Sequence, residues 1–449
     1  MTNKHPKTLL SLAREGFMKT RFLSLLGLTL TLSNTSTAIG CPAYLEAEKL
    51  SSLDLKARQN LRAFAMSAKD GKRSWVTVPI QVDELDQRGV LAGSNPTKPL
   101  AMTDRISLRI ETFGERIAAT DMPPCSGKKA LEIENPNQPG KFAYLTGCED
   151  VALVTALPVE HNSELKTVTS QHYDYQYLPN NQLMYKSLVA KDTGWKESLP
   201  AASNSDLTLH LDIKRFLTLN FTNKNVESYV GRSASGPVGM VGSIDFYLRL
   251  LFMKIDLKLG TTVGFYGDSA HIPSIIDVPV DAHSRLNAGS GLLYMWQTEN
   301  ATIDRSPHAN AMLDAKPSLI KEGWENYAKE GSKFCRKDNC AFSLRGSIGT
   351  LPYGIDIYLE PSMVARGFYP VWVSDVGKFK KELGWEIAES DPGKVGIFFN
   401  NSGLPKGQYP MNQWIRLGSS GMLGQCPAPI SVKETLTFNQ NPVIEGTAH

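Results

Sequence analysis

Alternation of apolar and polar side chains with a period of two is the feature that most narrows what this chain can fold into. It dominates residues 238–265, where only the glycines at 239, 242, 260 and 264 interrupt it. Successive side chains of a strand point to opposite faces, so such a run is half-buried sheet, not helix. Ile244, Phe246, Leu248, Leu250 and Phe252 share one phase. Lys254, Asp256 and Lys258 then take over that phase, and Met253, Ile255, Leu257 and Leu259 become the apolar set. The switch predicts one long, bent strand that leaves one sheet for another.

The same signal recurs along most of the chain. Residues 61–68 and 75–82 alternate on either side of Asp70-Gly71, the composition of a hairpin turn. Residues 104–110 alternate, as do 130–133 and 142–145, joined by a Pro/Gly/Asn-rich turn over 135–140. Further strands are expected at 173–177, 207–213, 216–221, 355–359, 371–373, 395–399 and 414–417, with short helices at 319–330 and 378–383. Uneven strand spacing, the two helices and the lack of a closing aromatic strand argue against an outer-membrane barrel. The expected architecture is mainly β: an N-terminal β-sandwich over 39–160, then a larger multi-sheet β-sandwich over 161–449 with a few short helices.

The N-terminal segment reads as a signal peptide over residues 1–38. Lys19 and Arg21 precede the apolar run 22–32, and Ser36-Thr37-Ala38 supplies small residues for cleavage. That run is too short to span a membrane. The string Ala38-Ile39-Gly40-Cys41 also has the form of a lipobox, which would anchor Cys41 to lipid. The polar stretch 33–37 separates it from the apolar run, so a soluble periplasmic or extracellular protein is expected, with a lipoprotein as the alternative. Six cysteines form an even set, as a disulfide framework in an oxidising compartment requires. Sequence proximity suggests Cys125 with Cys148 and Cys335 with Cys340, leaving Cys41 to join Cys426, although spacing alone leaves every pairing open. The net charge of +3 arises from 48 basic and 45 acidic residues spread throughout, so no dense cationic stripe exists to hold nucleic acid.

Candidate chemistry is sparse. Asp83, Glu84 and Asp86 concentrate carboxylates at a strand end, where they would bind Ca²⁺ through oxygen or supply the acid of a glycosidase; a solvated turn before Gln87-Arg88-Gly89 is the plainer alternative. No other cofactor is expected. Ser318-Leu319-Ile320-Lys321 matches S-x-x-K, but Pro317-Ser318 equally marks a helix start, and no partner motif follows. Gly231-Arg232-Ser233-Ala234-Ser235-Gly236 misses the nucleophile-elbow spacing and reads as a flexible loop. His210, His271 and His283 share no ligand spacing. Tyr173, Tyr175 and Tyr177 lie on one face of a strand and are candidate sugar-stacking rings, as are Trp372, Trp385 and Trp414.

Four short motifs carry a resemblance. Val78-Pro79-Ile80-Gln81-Val82-Asp83-Glu84, then Asp104-Arg105-Ile106-Ser107-Leu108, then Glu132-Ile133 to Tyr144-Leu145, then Gly236-Pro237-Val238 resemble exported bacterial β-rich proteins of uncharacterised function. Some proteins similar to these resemble the galactose-mutarotase supersandwich. The resemblance spans residues 75–300 and departs at Gly239, where relatives carry arginine. It implies a supersandwich-like fold and assigns no catalytic residue. The expected function is binding of a glycan or cell-envelope partner without catalysis. The alternative is a polysaccharide lyase or glycoside hydrolase using carboxylates or a Tyr/His pair in a cleft of the large sheet.

Overall fold

The computed structural model describes residues 41–53, 57–69, 71–93, 95–118, 121–125, 129–136, 138–149, 157–191, 197–250, 253–278, 280–304, 312–418 and 432–437. The chain is mainly β, with four multi-stranded sheets and few short helices, as the alternation predicts.

Sheet A runs Ala43–Glu46, Arg105–Leu108, Ile80–Leu85, Leu91–Gly93, and sheet B runs Val432–Thr437, Lys129–Glu134, Phe142–Gly147, Leu61–Lys69, Lys72–Val78. The expected hairpin is present: Lys69 pairs with Lys72 around a turn in which Gly71 takes φ +73°, a left-handed conformation that favours glycine. Pro79 has no backbone N–H, and the extended run splits there into a strand of sheet B and a strand of sheet A. Leu45, Ile80, Ile106 and Leu108 from sheet A pack against Ala63, Leu131, Ile133 and Leu145 from sheet B, all of them buried. The outer strand of sheet B, Val432–Thr437, comes from the far end of the chain.

Sheet C runs Pro370–Val373, Lys394–Asn400, Gly291–Thr298, Leu199–Asp212, Tyr185–Ala190, Tyr173–Tyr177, Thr167–Ser170, Val159–Asn162, with Thr218–Thr222 also paired to Leu199–Asp212. Sheet D runs Val226–Ser235, Gly239–Leu250, Met253–Tyr266, Ser269–Val278, Gly407–Leu417, Leu351–Leu359, Cys340–Ile348, Ala301–Asp304. Their facing sides form the largest core, where Leu293, Met295, Ile397 and Phe399 of sheet C cluster with Phe342, Leu344, Ile357 and Leu359 of sheet D.

Several sequence expectations change here. Residues 238–265 are not one bent strand but an antiparallel hairpin within a single sheet, with Leu250 paired to Met253 and Leu248 to Ile255. Paired positions sum to an odd number, so even residues on one strand face the same way as odd residues on the other. The phase switch therefore records a chain reversal. The side chains at 250–253 and 255–260 lie outside the described residues. The segment expected as one helix is two, Pro317–Glu322 and Trp324–Gly331, separated by Gly323 at φ +122°. The other helix, Val376–Leu383, starts where the Asp375 side chain accepts from Lys378 N at 2.9 Å and stops at left-handed Gly384. Gly231 to Ser235 belong to the strand Val226–Ser235, with a register shift between Val230 and Ser233, and do not form a loop.

Disulfides join Cys125 to Cys148 and Cys335 to Cys340. Cys41 is buried and disulfide-bonded as well; its expected partner, Cys426, lies outside the described residues. Such bonds fit a chain that matures in an oxidising compartment outside the cytoplasm. Among the described residues no helix is long and apolar enough to cross a membrane.

Candidate functional site

Strand alternation separates the carboxylates proposed as a metal or acid site. Asp83 is fully buried, accepting from Gln81 Nε2 at 2.8 Å and pairing with Arg105 at 3.3 Å. Glu84 faces the other way, toward Lys98 at 3.3 Å and Arg58 at 3.5 Å. Asp86 caps the following turn, accepting from Arg88 N at 2.8 Å and Val90 N at 3.0 Å. Partial burial works against its charge, but these bonds and the Arg88 guanidinium hold its carboxyl below the usual range. Each anion already has its cation or donors, and the described residues contain no group of three or more metal-ligating side chains.

The short motifs singled out in the sequence turn out to be joints of the fold. Gln81 Oε1 accepts from Gly239 N at 3.1 Å, and a Cβ on Gly236 would lie 2.6 Å from the same oxygen. Two motifs distant in sequence thereby link sheet A to sheet D. Gly239 has no room for a side chain, since a Cβ there would lie 2.4 Å from Phe265 O. Asp104 receives Arg58 through two bonds of 2.6 and 3.0 Å, and Glu132 receives Arg116 and the Tyr144 hydroxyl.

The tyrosine row is interior, so its rings form no exposed stacking platform. Tyr173 and Tyr177 are buried and Tyr175 is half-buried. The Tyr173 hydroxyl donates to Tyr266 O at 2.8 Å, and Tyr175 packs on Phe265 with ring centroids 5.1 Å apart. Tyr173 and Tyr175 line a small apolar cavity of about 50 Å³ between sheets C and D. Trp372 and Trp385 are core residues, and His210 stacks on Trp385 at 4.5 Å. His283 is exposed, accepting from Trp324 Nε1 at 2.8 Å. Ser318 and Lys321 are both exposed on the short helix that Pro317 opens.

A different set of residues lines the large cleft. About 580 Å³ opens where sheet A meets the outer face of sheet D. Register places His271 opposite Trp414 and Pro273 opposite Asn412, while the other phase of the same strands, including Ile272, Ile415 and Leu417, faces the cavity between sheets C and D. His271 and Trp414 stack at 4.0 Å and 9°, and the Tyr44 ring lies parallel to both, 5.4 Å from His271 and 6.1 Å from Trp414. Arg105, paired to Asp83, sits over the Tyr44 ring at 5.6 Å. Glu46, Asp338, Glu360 and Asn412 form an exposed rim, with Asp86 and Tyr358 half-buried beside them.

The protonation state of the cleft floor follows from its hydrogen bonds. The Tyr44 hydroxyl lies 3.1 Å from His271 Nδ1 and 3.3 Å from Nε2, and Nε2 lies 3.2 Å from Asn412 Oδ1; the tautomer protonated at Nε2 would donate to Asn412 and leave Nδ1 to accept from Tyr44. Burial, then the Arg105 charge, pushes the imidazole well below its ordinary value, while Asn412 pulls weakly the other way. Burial, followed by Tyr266, pushes the Tyr44 phenol well above its own. The two proton affinities are thus driven apart, and moving a proton from tyrosine to histidine is costly. The pair is a neutral hydrogen bond.

Sequence reasoning noted His271 and Trp414 separately and missed Tyr44, Arg105 and Asn412. The available signal was an aromatic on the solvent-facing phase of its strand. Nothing in the sequence indicates that strands so far apart along the chain converge there.

No family model and no curated protein matches the chain. Among solved structures, it is similar to a protein in glycosyl hydrolase family 38 from Enterococcus faecalis, at 10% identity and TM-score 0.36, covering 83% of this chain and 41% of that one. An alpha-mannosidase from Enterococcus faecalis V583 gives 8% identity and TM-score 0.31, covering 83% and 40%. The chain thus spans less than half the length of either protein. Likeness this slight assigns it to neither.

Proposed function

We propose that the cleft binds a neutral glycan of the cell envelope or its surroundings without cleaving it. The observation that carries this reading is the pairing of a polar rim with a neutral aromatic floor. Glu46, Asp338, Glu360 and Asn412 present acceptors and donors suited to sugar hydroxyls, above Tyr44 and Tyr358, which are half-buried. The carboxylates disfavour polyanions, because the cation inside the cleft, Arg105, is already paired to Asp83. Catalysis is disfavoured by the Tyr44–His271 pair, since a general base works best with a pKa near the operating pH, and burial drives both groups away from it.

The test is retention of the purified protein on immobilised neutral and acidic oligosaccharides, with the supernatants assayed for released fragments. Retention on neutral glycans without release is expected. Asn412→Ala and Glu360→Ala should each weaken it by about tenfold, the worth of one or two hydrogen bonds. Released fragments would replace binding with hydrolysis or elimination, and retention confined to polyanions would overturn the reading.

A further inference from the structure

We infer that the turn between the strands Leu199–Asp212 and Thr218–Thr222 docks on the surface of an anionic phospholipid bilayer. This surface is independent of the cleft and of the glycan reading. Residues 216–221 were expected to form a strand, but pairing begins only at Thr218 and leaves Phe216 on the turn. Phe216 is 80% exposed and Leu217 51%. Among the described residues no other Phe, Tyr or Trp is exposed, and these two exposed apolar side chains are adjacent in one turn.

The turn holds the ring outward by its own hydrogen bonds. Ile213 N donates to Leu217 O and Phe216 N to Ile213 O, each at 3.1 Å. Arg215 adopts φ +63°, a left-handed conformation that costs a non-glycine residue energy and makes the reversal tight. The short helix Ala282–Arg285 is tied alongside: Lys214 N donates to Arg285 O at 2.8 Å, and the Lys214 ammonium to His283 O at 2.9 Å. Three exposed cations, Lys214, Arg215 and Arg285, thus lie on the turn that carries the apolar pair and on the helix tied to it. Of the nearby acids, Asp212 lies near the Thr218 hydroxyl at 3.4 Å, and Asp281 sits at the opposite end of the four-residue helix.

Geometry and charge favour a bilayer over a protein. Two side chains at a hairpin tip make a small projection, whereas a stable protein interface needs a broad complementary surface. A membrane surface accepts such a tip readily: the ring enters at headgroup level, the cations meet phosphates, and the internally bonded N–H groups avoid desolvation.

Cosedimentation tests this, using protein exported and processed by an expressing bacterium. Vesicles of phosphatidylglycerol with phosphatidylethanolamine are compared with vesicles of phosphatidylcholine, at low and high salt. Binding to the anionic vesicles alone is expected, weakened by salt. It should fall by about tenfold or more in the Phe216→Ser/Leu217→Ser variant and in the Arg215→Gln/Arg285→Gln variant. Unchanged thermal melting would show that the variants stay folded, and the charge variant stands if the apolar one does not. Equal sedimentation of wild type and both variants, or none with anionic vesicles, overturns the inference.

Discussion

His271 shows how burial converts a titratable side chain into a fixed hydrogen-bonding element. Its folded pKa is depressed well below 6.5, first by burial and then by Arg105, and burial likewise lowers those of His161 and His210. Below the ordinary histidine value the unfolded chain takes up protons that the folded chain refuses. The stabilisation is therefore complete above about pH 6.5 and is lost as pH falls from there through the folded value. Each such histidine contributes a slope of up to about 1.4 kcal/mol per pH unit in that window. Thermal melts between pH 8 and pH 5 should show falling stability, with a shallower fall for His271→Gln; identical slopes would show that this imidazole is not excluded from protonation. At this scale the residue types in Asp83, Glu84 and Asp86 were legible, but their use was not. Alternation sends neighbouring carboxylates to opposite faces, and their partners Arg105, Arg58 and Lys98 come from other segments.

Elements show the same limit differently. The loop forming one wall of the cleft is pinned by Asp104, which takes two bonds from Arg58 and one of 2.8 Å from Ala101 N. Arg58 is 5% exposed and Asp104 1%. Removing one member of a buried pair leaves an uncompensated charge and costs about 3–5 kcal/mol. Arg58→Ala should lower the denaturation midpoint accordingly and weaken glycan retention by loosening Met102 and Thr103 on the cleft wall, whereas a loss below about 1 kcal/mol would mean that the pair is effectively solvated. Strand positions were readable because a two-residue period needs only local sequence. The hairpin at 239–266 was misread because alternation records which face is buried but not the direction of the chain. Phe216 was read into a strand that begins only at Thr218, because an apolar residue on a turn looks, in sequence, like one in a sheet.

For the whole molecule, covalent and topological closure matter more than any single pair. The outer strand Val432–Thr437 returns to sheet B beside Lys129–Glu134, while disulfides secure Cys125 to Cys148 and Cys335 to Cys340. Closing a loop reduces the freedom of the unfolded chain, and each native bond is worth about 2–4 kcal/mol. Alkylation before reduction should label no cysteine, and alkylation after reduction should label all six in the intact mass. The same spectrum should place the mature N-terminus near residue 39. A diacylglycerol adduct on Cys41 would instead leave that sulfur out of the disulfide framework.

What the sequence determined by itself was the material of the fold: strands from their period, an even set of cysteines, and a near-even balance of charge. Tertiary structure alone decided the cleft. Tyr44, Arg105, His271, Asn412 and Trp414 come from four separate strands of two sheets. Their meeting depends on register and on the packing of sheet A against sheet D, through contacts such as Gln81 with Gly236 and Gly239. Periodicity is a property of neighbours along the chain, and it specifies which face of a strand is apolar. Which strands lie side by side is set by the packing of those faces over long sequence separations, which no local pattern encodes.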